Sequence, residues 1–265
     1  MTTRTAFDKA RADGRAALVG YLPAGFPDVE GGITALRVMV EEGCDVIEIG
    51  LPYSDPVMDG PTIQAAAQQA LDAGVRTADV LRTVEAVAAT GVPTLVMTYW
   101  NPVERYGVDR FAADLASAGG AGLITPDLVP DEAEGWVGAA DRHDLDKVFL
   151  VAPSSTDERL RSTTAACRGF VYATAVMGVT GARTATSELA GPLVQRVRSV
   201  TDVPVGVGLG VSDGDQAAEV AAYADGVIVG SAFVRRLLDA GSDRRAGLAS
   251  LAELTNDLAE GVRRG

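Results

Sequence analysis

Glu48, Asp55 and Asp59 fall in one short stretch, DVIEIGLPYSDPVMDGP, between positions 45 and 61. Glu48 sits inside an apolar, β-branched run, and a turn-rich loop then delivers Asp55 and Asp59. A carboxylate on a buried strand has to be solvated by something, because an unpaired charge in an apolar setting is costly. With a second carboxylate eleven residues on, the stretch can supply a general acid and a general base. A plainer arrangement fits the same residues: Glu48 ends a core strand and faces water, while Asp55 and Asp59 are turn acids.

The elements that would position these groups are short β-branched runs alternating with Ala-rich helical stretches. AALVGY around Leu18, VIEIG, TLVMTY, GLIT, KVFLV, FVYAT, VPVGVG and GVIVG make eight strand candidates. Between them lie amphipathic segments at 31–42, 62–73, 108–118, 131–142, 157–167, 189–200 and 213–222, with 233–238 opening the last. The strands are near-continuously apolar, as a parallel sheet covered by helices requires. No Pro/Ser linker or composition break divides the chain, so residues 1–265 read as a single domain. Eight βα units in 265 residues predict a closed α/β barrel, the (βα)8 or TIM barrel, rather than an open doubly wound sheet. No G-x-G-x-x-G follows the first strand, where 20–27 is a Pro-containing turn, and this weakens a dinucleotide-binding reading. The amphipathic start of the chain predicts an extra N-terminal helix.

In a barrel of this kind the chemistry sits on the loops after each strand. Those loops collect Tyr21 after the first strand, Glu48 with Asp55 and Asp59 after the second, Tyr99 and Asn101 after the third, and Asp127 after the fourth. Tyr172 and the 178–181 loop belong to the sixth, Gly208 and Gly210 to the seventh, and Gly230 and Ser231 to the eighth. Glycine lets backbone approach an anion, and helix N-terminal amides point at it, so the last two loops and a short helix after strand eight predict a phosphate site. Ser231 would add a hydroxyl donor. Taken alone, GVGLG also serves a tight βα turn.

The formal charge of −13 repels nucleic acid and anionic membranes, so an anionic ligand must be small and held locally. No apolar run reaches the roughly 18 residues that cross a bilayer, and the N-terminus lacks a signal-type apolar region, so the expected location is cytoplasmic. Cys44 and Cys167 lack metal-ligand spacing and read as reduced, packed thiols; no metal site is visible. His143, the lone histidine, falls in a helix and reads as a solvated surface residue.

Taken in order along essentially the whole chain, EIGLPYSDPVMDGP, TYWNP, PDLVPDE, GVTG and the Gly208 and Gly230 loops strongly resemble the tryptophan synthase alpha subunit family. The resemblance implies a lyase that cleaves indole-3-glycerol phosphate to indole and D-glyceraldehyde 3-phosphate, with no cofactor on this chain. It implies a beta-subunit partner that carries pyridoxal phosphate, in an alpha2beta2 heterotetramer. It assigns Glu48 as acid/base at indole C3 and the C3′ hydroxyl, and Asp59 as acceptor of the indole N–H. A glutamate at an apolar strand end would have its pKa raised, which suits proton donation near neutrality. Tyr21 and Tyr99 would wall the indole pocket, Tyr172 would position Glu48 or the hydroxyl, and Asp127 would lie at the same mouth. The polar, glycine-punctuated segment 177–189 reads as a lid whose Thr180 closes onto Asp59, with Gly181 joining the phosphate loops. Val176 stands where the family often has Arg, so the coupling of loop closure to the partner differs here in its side chain. Pro52, Tyr53, Asp55, Pro56 and Asn101 would face the beta subunit. Two other classes remain open at this level: another sugar-phosphate-processing barrel enzyme, and a non-catalytic barrel that activates a partner.

Overall fold

A computed structural model describes residues 2–174 and 187–265. Eight parallel strands close in chain order: β1 (Ala17–Pro23), β2 (Val46–Gly50), β3 (Thr94–Met97), β4 (Gly122–Thr125), β5 (Asp146–Val151), β6 (Val171–Thr174), β7 (Val205–Gly208) and β8 (Gly226–Val229). β8 pairs back onto β1, so no strand edge is left open. The expected barrel is therefore the observed one, and all eight apolar runs are its strands.

Helices wrap the outside. α1 (Thr3–Ala12) precedes the barrel, and α2 (Val29–Glu41) links β1 to β2. Two helices follow β2, α3 (Pro61–Asp72) and α4 (Thr77–Ala88), and two follow β3, α5 (Trp100–Tyr106) and α6 (Val108–Ser117). Among the described residues, single α-helices follow the next four strands: α7 (Glu134–Arg142), α8 (Asp157–Ala166), α9 (Ser187–Arg198) and α10 (Gly214–Ala221). The chain ends with α11 (Ser231–Ala240) and α12 (Arg244–Gly261). α4 and α5 were not expected. It is α4, through Val80, Thr83, Val84 and Val87 at helical spacing, that packs back on β2 and β3, whereas α3 lies against α11 and β1. The segment 131–142 is also divided, into a short 3-10 turn (Pro130–Glu132) and α7.

Side chains alternate across the barrel wall with a period of two. On β2, Ile47 and Ile49 pack outward into the layer beneath the helices, while Val46 joins the interior cluster with Val19, Leu95 and Ile228. Glu48 shares Val46's parity, so this register carries its carboxyl into the barrel. α1 closes the opposite, N-terminal end. Phe7 stacks on Phe170 with centroids 5.0 Å apart, and the backbone N–H and hydroxyl of Thr3 each donate to the buried Asp146 carboxylate at 2.7 Å. Among the described residues no helix is long and apolar enough to cross a membrane.

Candidate active site

Glu48 is fully buried, and neither of its carboxyl oxygens has a hydrogen-bond partner among the described residues. Loss of hydration disfavours the charged form, and burial pushes its pKa from 4.5 up to about 8. The group is consequently an uncharged acid near neutral pH. Tyr21, its register neighbour on β1, and Tyr172 on β6 line the same cavity. Each lies where only a glycine leaves room. A Cβ on Gly50 would meet the Tyr21 hydroxyl at 2.1 Å, and one on Gly208 would meet the Tyr172 hydroxyl at 2.6 Å. Burial pushes both phenols up, Asp59 and then Glu48 add to this at Tyr21, and Glu48 adds to it at Tyr172. No hydrogen bond joins Tyr172 to Glu48.

Asp59 reaches the same cavity from the loop between β2 and α3. Gly60 and Pro61 start α3 directly behind it, and Gln64 Nε2 donates to its backbone carbonyl at 2.7 Å. The Tyr99 hydroxyl donates to Asp59 Oδ1 at 3.1 Å and accepts the backbone N–H of Val57 at 3.1 Å and of Met58 at 2.9 Å. Burial pushes the Asp59 pKa up, and the Tyr99 hydrogen bond opposes it. Glu48 and Asp59 thus sit in contrasting settings, one apolar without a donor and one held by a donor, the condition under which two carboxyls divide acid and base roles.

At another part of the cavity wall lie Gly208, Gly210, Gly230 and Ser231. The helices just before and just after α11 in the chain are capped by side chains: Asp213 accepts from Gln216 N–H at 2.9 Å on α10, and Asp243 from Ala246 N–H at 3.0 Å on α12. α11 differs, since its N-cap is Gly230 and no side chain caps it. The first-turn amides of a helix have no partner within the helix, so this end presents donors and the positive end of a dipole to the mouth.

One cavity therefore brings together Tyr21, Glu48, Asp59, Tyr99, Tyr172, Gly208, Gly210, Gly230 and Ser231. Asp127, expected at the substrate, is not among its lining residues. Both its carboxylate oxygens instead accept the Trp100 N–H, at 2.9 and 3.1 Å, and so satisfy the start of α5. Thr180, Gly181 and Val176 lie outside the described residues. At the start of α5, Asn101 donates to the Tyr53 hydroxyl at 3.0 Å, and the Tyr53 ring packs on Tyr99 with centroids 5.4 Å apart. Asp55 is exposed and Pro56 partly so, but Pro52 is buried within the chain and offers no surface. Met97, Leu150 and Ile228 add apolar wall that the sequence reading missed. Their signal was the two-residue period, which turns them inward near Glu48. His143 is exposed, as expected, and Cys44 and Cys167 are free thiols.

Comparison with known proteins bears on this geometry. The family profile described as Tryptophan synthase alpha chain matches residues 7–263. The chain is 68% identical to the tryptophan synthase alpha chain of Salinispora arenicola, over 97% of this chain and 96% of that one. It is 61% identical to that of Mycobacterium marinum, over 97% and 93%. Among solved structures, tryptophan synthase of Mycobacterium tuberculosis superposes with a TM-score of 0.93 at 58% identity, covering 99% of this chain and 98% of that one. With a profile that spans nearly every residue and relatives aligned end to end, the chain belongs to the tryptophan synthase alpha chain family.

Proposed function

We propose that Glu48 and Asp59 carry the alpha reaction in this chain, the retro-aldol cleavage of indole-3-glycerol phosphate to indole and D-glyceraldehyde 3-phosphate. The observation that supports it is a buried acid without a hydrogen-bond partner, at about pKa 8, sharing one cavity with a donor-held aspartate. The neutral Glu48 carboxyl gives its proton to indole C3 while the Asp59 carboxylate takes the proton from the ring nitrogen, forming the indolenine. Glu48, now a carboxylate, takes the C3′ hydroxyl proton. The bond from C3 to C3′ then breaks, C3′ becomes the aldehyde carbon, and the electron pair returns to the ring as Asp59 hands the nitrogen its proton back. Both groups end in the state in which they began.

The rest of the cavity supports the substrate's shape. Tyr21, Tyr99, Met97 and Leu150 form the flat apolar surface an indole needs. The uncapped amides of α11 at Gly230 and Ser231, with the Gly208 and Gly210 backbone, receive the phosphate with no lysine or arginine among the described lining residues. Tyr172 flanks Glu48 and the reacting hydroxyl. Thr180 and Gly181 complete the lid and phosphate loop in this reading.

The family implies a beta chain as partner. We place its contact on Tyr53, Asp55 and Pro56 of the loop that carries Asp59 and on Asn101 at the start of α5, all exposed or half-exposed, and propose an alpha2beta2 assembly located in the cytoplasm. Indole release from indole-3-glycerol phosphate, measured with and without the beta chain, tests the function. Turnover of a pentose or triose phosphate in its place would point to a different barrel enzyme, and no cleavage under either condition would point to a non-catalytic activator. Sedimentation of the mixture gives the stoichiometry.

A further inference from the structure

Every hydrogen-bonding capacity of the Tyr99 hydroxyl is in use. It donates once, to Asp59 Oδ1, and accepts twice, from the backbone amides of Val57 and Met58. The residue is 5% exposed and its ring rests on Tyr53. The stretch it holds has little else to fix it. Val57 is 77% exposed, Asp55 is exposed and among the described residues bonds only its neighbour Ser54 at 2.6 Å, and the next tie there is Gln64 at the Asp59 carbonyl. Two N–H groups donating to a phenol oxygen also polarise it and strengthen its own O–H as a donor.

We infer that the Tyr99 hydroxyl is a positioning group for the reaction, aiming the Asp59 carboxylate into the cavity as an anion and locking the loop behind it. This rests on the reading of Asp59 as the acceptor of the ring N–H. The groups that share the cavity with Asp59 are Glu48 on β2, Tyr21 on β1, Tyr172 on β6 and Tyr99 at the end of β3, with no Lys, Arg or His among its described lining residues. Burial raises the Asp59 pKa, and the Tyr99 hydrogen bond is the influence that lowers it. Asp59 acts as the anion, so removing the donor lets its folded-state pKa climb, and the acid limb of the rate follows to higher pH.

The test is the pH dependence of indole-3-glycerol phosphate cleavage by Tyr99→Phe in the full chain. The ring and the phosphate end are untouched, so KM stays within about twofold, kcat at neutral pH falls about tenfold, and the acid limb of kcat rises by about one pH unit, the scale of a hydrogen bond to a charged acceptor. Tyr99→difluorotyrosine keeps the shape with a stronger donor, and should move the limb the opposite way. An unmoved limb in both variants overturns the inference, as does a raised KM with kcat and limb unchanged, which is what a purely structural tie would produce. Asp59→Asn is run in parallel. If it keeps wild-type turnover and the same acid limb, the Asp59 reading fails first and takes this inference with it; if it is inactive while Tyr99→Phe is normal, only the inference fails.

Discussion

Glu48→Gln should separate stability from activity in a way that only a buried, neutral acid produces. The carboxyl has an ordinary value of 4.5 and a folded-state value of about 8. Because the folded value is the higher one, the native state keeps its proton after the unfolded chain has lost it. The favourable contribution is whole below the unfolded value, declines as pH rises between the two values, and levels off above the folded one. At about 1.4 kcal/mol per pH unit, the loss is roughly 3 kcal/mol by neutrality and on the order of 5 kcal/mol by pH ~9. Glutamine carries no proton to lose, so the variant lacks this decline. Its constant offset, from an amide in place of a carboxyl, does not vary with pH. Urea unfolding of both proteins at a series of pH values therefore gives nearly parallel stabilities below pH ~4 and a widening advantage for the variant above it, large against a typical total of about 5–15 kcal/mol. A difference that stays flat across this range would refute the burial and protonation state assigned to Glu48.

Other perturbations read other parts of the site. Gly50→Ala forces the Tyr21 ring away from a Cβ that would stand 2.1 Å from its hydroxyl, which should cost about 1–3 kcal/mol in urea unfolding and raise KM for the substrate. Ser231→Asp adds a negative charge to the first turn of the uncapped α11. Stability should hold or rise by about 0.3–1 kcal/mol from the helix dipole, while KM rises about tenfold or more from repulsion of the phosphate, opposite signs that thermal unfolding and steady-state kinetics resolve. Asp127→Ala removes the carboxylate that accepts the Trp100 N–H. It should cost about 1 kcal/mol and weaken binding of the beta chain in titration calorimetry more than it lowers kcat of the isolated chain.

The barrel was legible because each strand is a short β-branched run and each run is separated by enough chain to cross back. α4 was overlooked although its buried positions recur at helical spacing, because a helix at 62–73 already filled the link between two strands. The inward aim of Glu48 follows from parity with Val46, which becomes readable only once the barrel fixes which parity faces inside. Glycine's part at Gly50 and Gly208 is steric room for a tyrosine from another strand, and no local pattern announces that. The Tyr99–Asp59 bond spans 40 positions and depends on the loop after β2 folding over the end of β3. Asp127 illustrates the opposite case: it was expected at the substrate, yet it does not line the cavity and accepts the Trp100 N–H at the start of α5.

The central claim is that two unlike carboxyls move the protons of the cleavage, and initial rates of indole release test it most directly. Glu48→Gln and Asp59→Asn, each shown to be folded, are compared with the unaltered chain on indole-3-glycerol phosphate at saturating substrate. Loss of about 10²–10⁴-fold in kcat in each variant, on the scale of general acid–base catalysis, with KM little changed, is the predicted result. Wild-type turnover by either variant would contradict it.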